Sequence, residues 1–531
     1  MIAIPRARAL AGVILAGLAI AGCALAPGKV PGLVNNPAAQ PLTVVTTAGP
    51  VRGAATPDGQ AFLGVPFAAP PVGALRFAPP APPTPWTAVR DATKPGPGCV
   101  QPLPGGLTRG SEDCLTLNVY APAQVQPDRP RPVMVWLYGG GFVFGENAQY
   151  DPSRLAQRQD VIVVAPNYRL GVFGFLAHPG LKGSGEGAYA LQDQQAALRW
   201  VLDNIARFGG DPANVTLFGE SAGAWSVCYQ LTAPGARGLF HKAILQSGAC
   251  TSPNSAIPLG EAEAGGARMA AKLGCADPAT AAACLRALPA KRLSSAKAAR
   301  RGILGADSWA PAFGADVLPM QPRAAFAAGQ ALAAPVINGS NRDEGRLFLH
   351  LDRLTGKVWT RAGYETAIGD YFGADAPAIL AQYELAASAS FGDAFAQIMT
   401  DGVFACPART LDGLLAARGP SWAYEFDDPH APYALPRAPF TGATRAFHSA
   451  EIAYVFQTRW AVSDPDRWTP TQQALSERIQ GHWGRFATTG DPGWPSLAQA
   501  GGPVRLAPDS GEVAASFDQE HRCGFWRGIG Y

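Results

Sequence analysis

One stretch, residues 215–227, constrains the fold of this chain more than any other. It reads VTLFGESAGAWSV: a run with strand character breaks at Gly219-Glu220-Ser221-Ala222-Gly223 and continues in residues suited to a helix. A serine at such a sharp turn has a strained backbone, and glycine two residues to either side lets neighbouring backbone pass closely. The pattern is typical of a nucleophile elbow that exposes the Ser221 hydroxyl. In a chain with 61 glycines, a glycine-rich turn without chemistry is the alternative.

Composition places the chain among large globular proteins. Its 531 residues are 47% hydrophobic and only 16% charged, which is enough for an extensive core and unlike a disordered chain. The 43 basic and 40 acidic residues nearly balance, and no basic cluster resembles a nucleic-acid footprint. We therefore expect no nucleic-acid partner.

The N-terminus has the pattern of an export signal. Arg6 and Arg8 precede an apolar run over residues 9–21, which is shorter than the roughly 20 residues that a transmembrane helix needs. The sequence Ile-Ala-Gly-Cys at 20–23 resembles the lipobox of bacterial lipoproteins, in which cleavage precedes the cysteine and the cysteine, here Cys23, is acylated. A plain secretory signal is the alternative.

These features predict three segments. Residues 1–22 form a lipoprotein signal peptide, residues 23–41 are a flexible tether rich in Pro, Ala, Gly and Asn, and residues 42–531 form a single domain. We expect an exported protein whose only membrane contact is the lipid on Cys23. Ala24 suits sorting to the outer membrane of a Gram-negative cell, facing the periplasm or the cell surface; without acylation, the protein would be periplasmic or secreted.

The apolar pattern predicts an α/β architecture. A helical stripe over residues 191–205 precedes the strand at 215–218, and strands separated by helices imply a mostly parallel sheet flanked by helices. Residues 42–75 predict small antiparallel strands, and the alanine-rich segment 262–300 predicts helices of a cap outside the sheet. Further buried strands are predicted at 133–138, 161–165, 243–245 and 335–337, and the alternation of Trp422, Tyr424 and Phe426 predicts another strand.

A second glycine-rich segment follows the strand at 133–138. The sequence Tyr138-Gly139-Gly140-Gly141-Phe142 resembles the H-G-G-G loop of lipases and esterases, whose backbone N–H groups stabilise an oxyanion. Side chains would block that approach, so glycines are expected there. A glycine-rich turn or a nucleotide-binding loop is the alternative, although the G-x-G-x-x-G spacing is absent.

Several motifs in order make the chain resemble a type-B carboxylesterase of the cholinesterase-like family, which has the α/β-hydrolase fold. The resemblance runs from roughly residue 43 to the C-terminus. Besides the elbow and the triple-glycine loop, it rests on EDCLTLNVY at 112–120, NYRLG at 167–171, FGGDP at 208–212 and QSG at 246–248.

The resemblance implies the residues that would join Ser221 in catalysis. The family's acid motif matches Asp343-Glu344-Gly345 and assigns Glu344, with Asp343 as the local alternative. The family's H-x-x-E motif matches His448, whereas His482 lies in a stretch that matches a structural part of the family. The oxyanion donors would be the backbone N–H groups of Gly140, Gly141 and Ala222.

A serine carboxylesterase follows as the expected function: it would hydrolyse small-molecule esters through an acyl-enzyme intermediate, with no cofactor and no metal. The alternative is an inactive cell-surface binding protein of the same fold. Such proteins lose the serine, whereas Ser221, Glu344 and His448 are all present. Choline esters are disfavoured, because residues 100–113 contain no aromatic side chain to bind a quaternary ammonium.

Other residues near these motifs have two interpretations each. Glu220 has a family counterpart in the pocket, but a structural buried carboxylate is equally expected, and we do not count it as catalytic. Ser247 is expected to support the site rather than to react. Phe142 and Phe144 either line the pocket or pack in the core.

The cysteines predict disulfides. An exported chain with eight cysteines besides Cys23 is expected to form them, but eight allow roughly 105 pairings. Cys228 and Cys250 have no partners in the family and are either free or paired with each other. For the rest, the resemblance implies Cys99–Cys114, Cys275–Cys284 and Cys406–Cys523.

Overall fold

The computed structural model describes residues 42–531 with several short gaps. The predicted signal peptide, the tether and Cys23 lie outside the described residues. The gaps are residues 104–105, 126–127, 182, 184–185, 299–300, 303, 386–389, 435–443, 461–462 and 510–515.

One mixed sheet organises the fold. Its strands lie in the order β1-β2-β3-β4-β6-β5-β7-β8-β9-β10-β11, and the two-residue strand Arg90–Asp91 pairs with β2. The strands are β1 Leu42–Val45, β2 Pro50–Thr56, β3 Gly59–Pro66, β4 Thr116–Ala121, β5 Arg131–Leu137, β6 Ile162–Pro166, β7 Gly210–Glu220, β8 Lys242–Gln246, β9 Val336–Asn341, β10 Ser421–Phe426 and β11 Val504–Leu506.

The sheet is mostly parallel, as predicted. From β6 across β5 and β7 to β11, every neighbouring pair is parallel. The strands β1 to β4 are antiparallel to one another, and β4 is antiparallel to β6. The N-terminal strands therefore extend the main sheet and do not form a separate small one. The six strands predicted from 133 to 426 correspond to β5–β10, whereas β4, buried at all six positions, was not predicted.

Helices cover the sheet and form the cap. The helix predicted over 191–205 spans 189–204, and the segment predicted to be helical contains three helices, α5–α7. The helices are α1 Ser153–Gln159, α2 Gly171–Phe175, α3 Tyr189–Asn204, α4 Ala222–Thr232, α5 Leu259–Lys272, α6 Ala281–Ala287, α7 Ala290–Ser294, α8 Pro322–Ala327, α9 Gly345–Leu354, α10 Arg361–Phe372, α11 Ala376–Gln382, α12 Phe391–Met399, α13 Cys406–Ala416, α14 Ala450–Phe456, α15 Pro470–Thr489, α16 Leu497–Ala500, α17 Phe517–Glu520 and α18 Cys523–Gly528.

Four disulfides cross-link the described residues. The structure contains the three pairs that the resemblance implied, and it also joins Cys228 to Cys250. This additional bond ties α4, which follows Ser221, to the segment after β8, and both of its cysteines are fully buried. The other three pairs are Cys99–Cys114, Cys275–Cys284 and Cys406–Cys523.

The closed loops differ greatly in length, which predicts unequal contributions to stability. Cys406 and Cys523 are 117 residues apart and Cys275 and Cys284 are nine apart. Loop entropy then gives about 5 kcal/mol for the long loop and under about 3 kcal/mol for the short one. We expect Cys406→Ala/Cys523→Ala to lose more free energy of unfolding in urea than Cys275→Ala/Cys284→Ala. An equal or reversed loss would contradict the entropic account.

Candidate active site

Ser221 lies at the junction of β7 and α4 with an unusual backbone. Its φ is +54° and its ψ is −121°, a conformation that costs a residue with a side chain on the order of 1–3 kcal/mol. Its N–H donates to Gln246 O at the end of β8 (2.9 Å), and its carbonyl accepts from Trp225 N in α4 (2.9 Å). The turn is therefore held by hydrogen bonds both to the neighbouring strand and to the helix.

The glycines on both sides of Ser221 allow backbone to pass very closely. A Cβ on Gly223 would lie 1.8 Å from the carbonyl oxygen of Leu137 in β5, and one on Gly219 would lie 2.6 Å from the same oxygen. Both distances are far below van der Waals contact. The spacing of the motif thus follows from the approach of α4 and β7 to the end of β5.

His448 and Glu344 complete a hydrogen-bonded chain with Ser221. His448 Nε2 lies 2.9 Å from Ser221 Oγ, and His448 Nδ1 lies 2.6 Å from Glu344 Oε2. Glu344 follows β9, and its Oε1 accepts a hydrogen bond from Asn341 N at 2.8 Å. All three side chains are buried, although Ser221 and His448 are 227 residues apart in the sequence.

The alternative residues lie elsewhere. The Asp343 carboxylate faces arginines: its Oδ1 lies 3.5 Å from Arg445 Nη1 and 3.8 Å from Arg346 Nε. His482 Nδ1 lies 2.7 Å from Pro492 O, and its ring packs on Trp494. Neither side chain is part of the hydrogen-bonded chain at Ser221.

The triple-glycine loop lies against the serine. A Cβ on Gly139 would lie 2.5 Å from Glu220 Oε2 and 3.0 Å from Ser221 Cβ. Gly140 and Gly141 have φ values of +112° and +60°, which glycine adopts without strain. Among the described residues, the backbone N–H groups of Gly140, Gly141 and Ala222 donate to no protein acceptor, so these three donors are available to a ligand.

Two further buried carboxylates surround His448. Glu220 Oε1 lies 3.2 Å from His448 Nε2 and accepts a hydrogen bond from Ser449 Oγ at 2.6 Å. Glu451 is held by Asn341 Nδ2 (2.5 Å) and Gln246 Nε2 (3.2 Å). The sequence leaves the role of Glu220 open, and the position of Glu451 beside the site was not predicted, although Glu451 is the acidic residue of the H-x-x-E motif.

These charges dominate the titration of the site. Burial raises the pKa of Glu220 to about 8 and that of Glu451 to about 7. Burial would lower the pKa of His448, but the nearby carboxylates of Glu220 and Glu344 outweigh it and raise the pKa to about 9. The imidazolium form of His448 is therefore strongly favoured by its surroundings.

Aromatic rings enclose one side of His448. Phe404 and Phe348 lie 4.6 and 5.3 Å from its ring, centroid to centroid, and Phe404 also stacks on Trp225 of α4. Phe404 belongs to a π-helical segment, Thr400–Ala405, and its position beside the histidine had no signal in the sequence. Phe142, in contrast, is fully buried in the core.

Comparison with known proteins points to one family. The model of the carboxylesterase family matches residues 40–526. Relatives include fumonisin B1 esterase of Sphingopyxis macrogoltabida, 37% identical over 84% of this chain and 80% of the relative, and para-nitrobenzyl esterase of Bacillus subtilis (strain 168), 35% identical over 85% and 92%. A solved PNB esterase superimposes with a TM-score of 0.77 at 34% identity, covering 91% of this chain and all of the other.

This chain belongs to the carboxylesterase family. A cocaine esterase of Oryctolagus cuniculus, 33% identical over 82% of this chain and 84% of its own, is a further esterase among the relatives. The protein is therefore a carboxylic ester hydrolase with the α/β-hydrolase fold, and both predictions are confirmed. The esterase names favour the enzyme over the binding-protein alternative.

The disulfides also bear on where this carboxylesterase works. Four of them cross-link the described residues, and such bonds persist in oxidising compartments. They indicate an exported protein. Across residues 42–531, outside the gaps, no helix has both the length and the apolar character to cross a membrane.

Proposed function

We propose that this carboxylesterase cleaves its substrates through an acyl-enzyme on Ser221. His448 removes the Ser221 proton during attack on the ester carbonyl, and Glu344 holds the imidazole and stabilises the imidazolium. The N–H groups of Gly140, Gly141 and Ala222 stabilise the oxyanion. The single observation that carries this proposal is the buried chain of contacts from Glu344 through His448 to Ser221, at 2.6 and 2.9 Å.

Each step uses contacts of this chain. The Glu344 carboxylate favours the tautomer with a proton on Nδ1, which leaves Nε2 free to accept the proton from Ser221 Oγ. The C–O bond to the alcohol then breaks as Nε2 returns that proton to the leaving oxygen. Water attacks the acyl-enzyme by the same steps, and the carboxylic acid leaves with Ser221 restored.

The loop geometry supports the assignment of the oxyanion donors. An oxyanion hole needs donors that are not already satisfied and that lie beside the nucleophile. The three N–H groups of Gly140, Gly141 and Ala222 donate to no protein acceptor in the described part of the chain. The close packing of Gly139 on Ser221 brings this loop against the serine.

Removal of the serine hydroxyl should abolish turnover without unfolding the protein. We expect Ser221→Ala to lower kcat/KM on p-nitrophenyl acetate by about 10⁴-fold or more, measured by release of p-nitrophenol, with an unchanged melting temperature. Ser340→Ala is the matched control, because this buried serine has no hydrogen-bond partner for its Oγ among the described residues. Retained activity in Ser221→Ala would refute the assignment.

The carboxylates around His448 predict a pH effect. Loss of the Glu220 charge makes the imidazolium less favourable, so the pKa of His448 falls from its raised value of about 9. His448 must be neutral to accept a proton, and the acidic limb of kcat/KM against pH therefore moves to lower pH in Glu220→Gln. The exposed Glu477 supplies a control, Glu477→Gln, whose profile should match wild type. A limb that stays in place, or moves to higher pH, would show that Glu220 does not set this titration.

We also propose that the enzyme is an outer-membrane lipoprotein acylated on Cys23. Support comes from the Ile-Ala-Gly-Cys sequence at 20–23, the short apolar run at 9–21 and the Pro- and Ala-rich stretch that follows. Multiple acyl chains contribute about 0.8 kcal/mol per buried CH₂ group, so the anchor would be nearly permanent.

Acylation of Cys23 predicts a change of location. In a Gram-negative host, the wild-type protein should incorporate a fatty-acid analogue and fractionate with the outer membrane, whereas Cys23→Ala should carry no label and leave the membrane fraction. The proposal fails if wild type is unlabelled or if Cys23→Ala stays on the membrane.

A further inference from the structure

Ser449, the residue after His448, has a conformation that glycine would suit better. Its φ is +71° and its ψ is 6°, in the left-handed region that side chains disfavour. It stands at the N-cap of α14, where serine is common because its hydroxyl bonds to the backbone of the first turn. The Ser449 side chain makes no such bond, so helix capping does not account for it.

The Ser449 hydroxyl donates a hydrogen bond to Glu220 instead. Ser449 Oγ donates to Glu220 Oε1 at 2.6 Å, a distance typical of a hydroxyl on a carboxylate. The same oxygen, Glu220 Oε1, lies 3.2 Å from His448 Nε2. One carboxylate oxygen therefore has two neighbouring donors: the serine hydroxyl and, once protonated, the imidazole.

The second neighbour is the nitrogen that has to exchange protons with the substrate. While His448 is neutral, Nε2 has no proton to offer and faces Ser221 Oγ at 2.9 Å. After Ser221 attacks, Nε2 carries the proton that the leaving oxygen needs. A free carboxylate is a stronger acceptor than an ester oxygen, so Glu220 would compete for this proton.

We propose that Ser449 is a positioning residue that occupies Glu220 Oε1 and thereby leaves His448 Nε2–H free for the leaving group. This inference rests on the proposed roles of Ser221 and His448. In the step concerned, the C–O bond to the alcohol breaks and the Nε2 proton passes to the departing oxygen. Without the Ser449 hydroxyl, Glu220 takes a closer hydrogen bond from Nε2–H and retards that transfer.

A comparison of two leaving groups isolates this step. An alkoxide must be protonated to leave, whereas p-nitrophenolate leaves readily without a proton, and kcat/KM reports acylation for both esters. We expect Ser449→Gly to lower kcat/KM on ethyl acetate by about tenfold and on p-nitrophenyl acetate by less than about twofold. Because burial raises the pKa of Glu220 to about 8, assays about one unit higher keep it ionised.

The melting temperature of Ser449→Gly and two further variants, Ser449→Ala and Glu220→Gln/Ser449→Gly, separate this role from a structural one. Ser449→Gly removes the strained side chain, so its melting temperature should stay equal to wild type or rise while alkyl-ester activity falls. Ser449→Ala keeps the strain and should show the same selective loss. In a Glu220→Gln background, Ser449→Gly should lower kcat/KM on ethyl acetate by less than about twofold, because residue 220 no longer carries a carboxylate that competes for the proton.

The outcomes distinguish this inference from the proposed function. Equal losses on the two esters, no loss on either, or an undiminished loss in the Glu220→Gln background would overturn the role of Ser449 while leaving the mechanism intact. If Ser221→Ala still turns over both esters, the mechanism itself is wrong, whatever the Ser449 variants do.

Discussion

The close approach of three strands and one helix around Ser221 is the constraint on which the rest of the site depends. The Leu137 carbonyl at the end of β5 leaves no room for a Cβ at Gly219 or Gly223, and Gln246 at the end of β8 binds the Ser221 N–H. The serine is thus fixed by neighbours on both sides of β7. The surrounding core offsets a backbone strain of on the order of 1–3 kcal/mol, and the Ser221 hydroxyl is oriented before any substrate binds.

The second constraint is the concentration of negative charge around one imidazole. Three buried carboxylates face His448, and each is held by a different set of donors. Asn341 serves two of them: its backbone N–H binds Glu344 and its side chain binds Glu451, while Ser449 binds Glu220. In the proposed mechanism, such an arrangement favours the imidazolium that forms during attack, but it also supplies competitors for the proton that this imidazolium must release. On this proposal, the donors that occupy the carboxylates matter as much as the carboxylates themselves.

Much of this architecture could be predicted because its causes are local in sequence. Parallel strands buried on both faces appear as continuous apolar runs, so β5–β9 could be predicted from the sequence. The elbow could be predicted because it requires glycines at fixed positions. β4 was not assigned, although its residues 116–121 are all buried, because the segment was interpreted as a family motif. The choice of Glu344 over Asp343 came from resemblance alone, since two adjacent carboxylates after a strand are equivalent by pattern. The structure separates them by their partners: Arg346 and Arg445 attract Asp343.

What could not be predicted depends on segments that meet only in the folded chain. Cys228 and Cys250 lie on α4 and after β8, and their pairing follows from the packing of those elements behind the serine. Ser449 is similar, since a serine directly before a helix is normally interpreted as a cap. Its left-handed backbone turns the hydroxyl to Glu220, 229 residues away in sequence. A serine before a helix is explained by capping alone, yet the role proposed for Ser449 depends on its contact with Glu220, which is distant in sequence. The left-handed backbone of Ser449 is the structural signal that points to this contact.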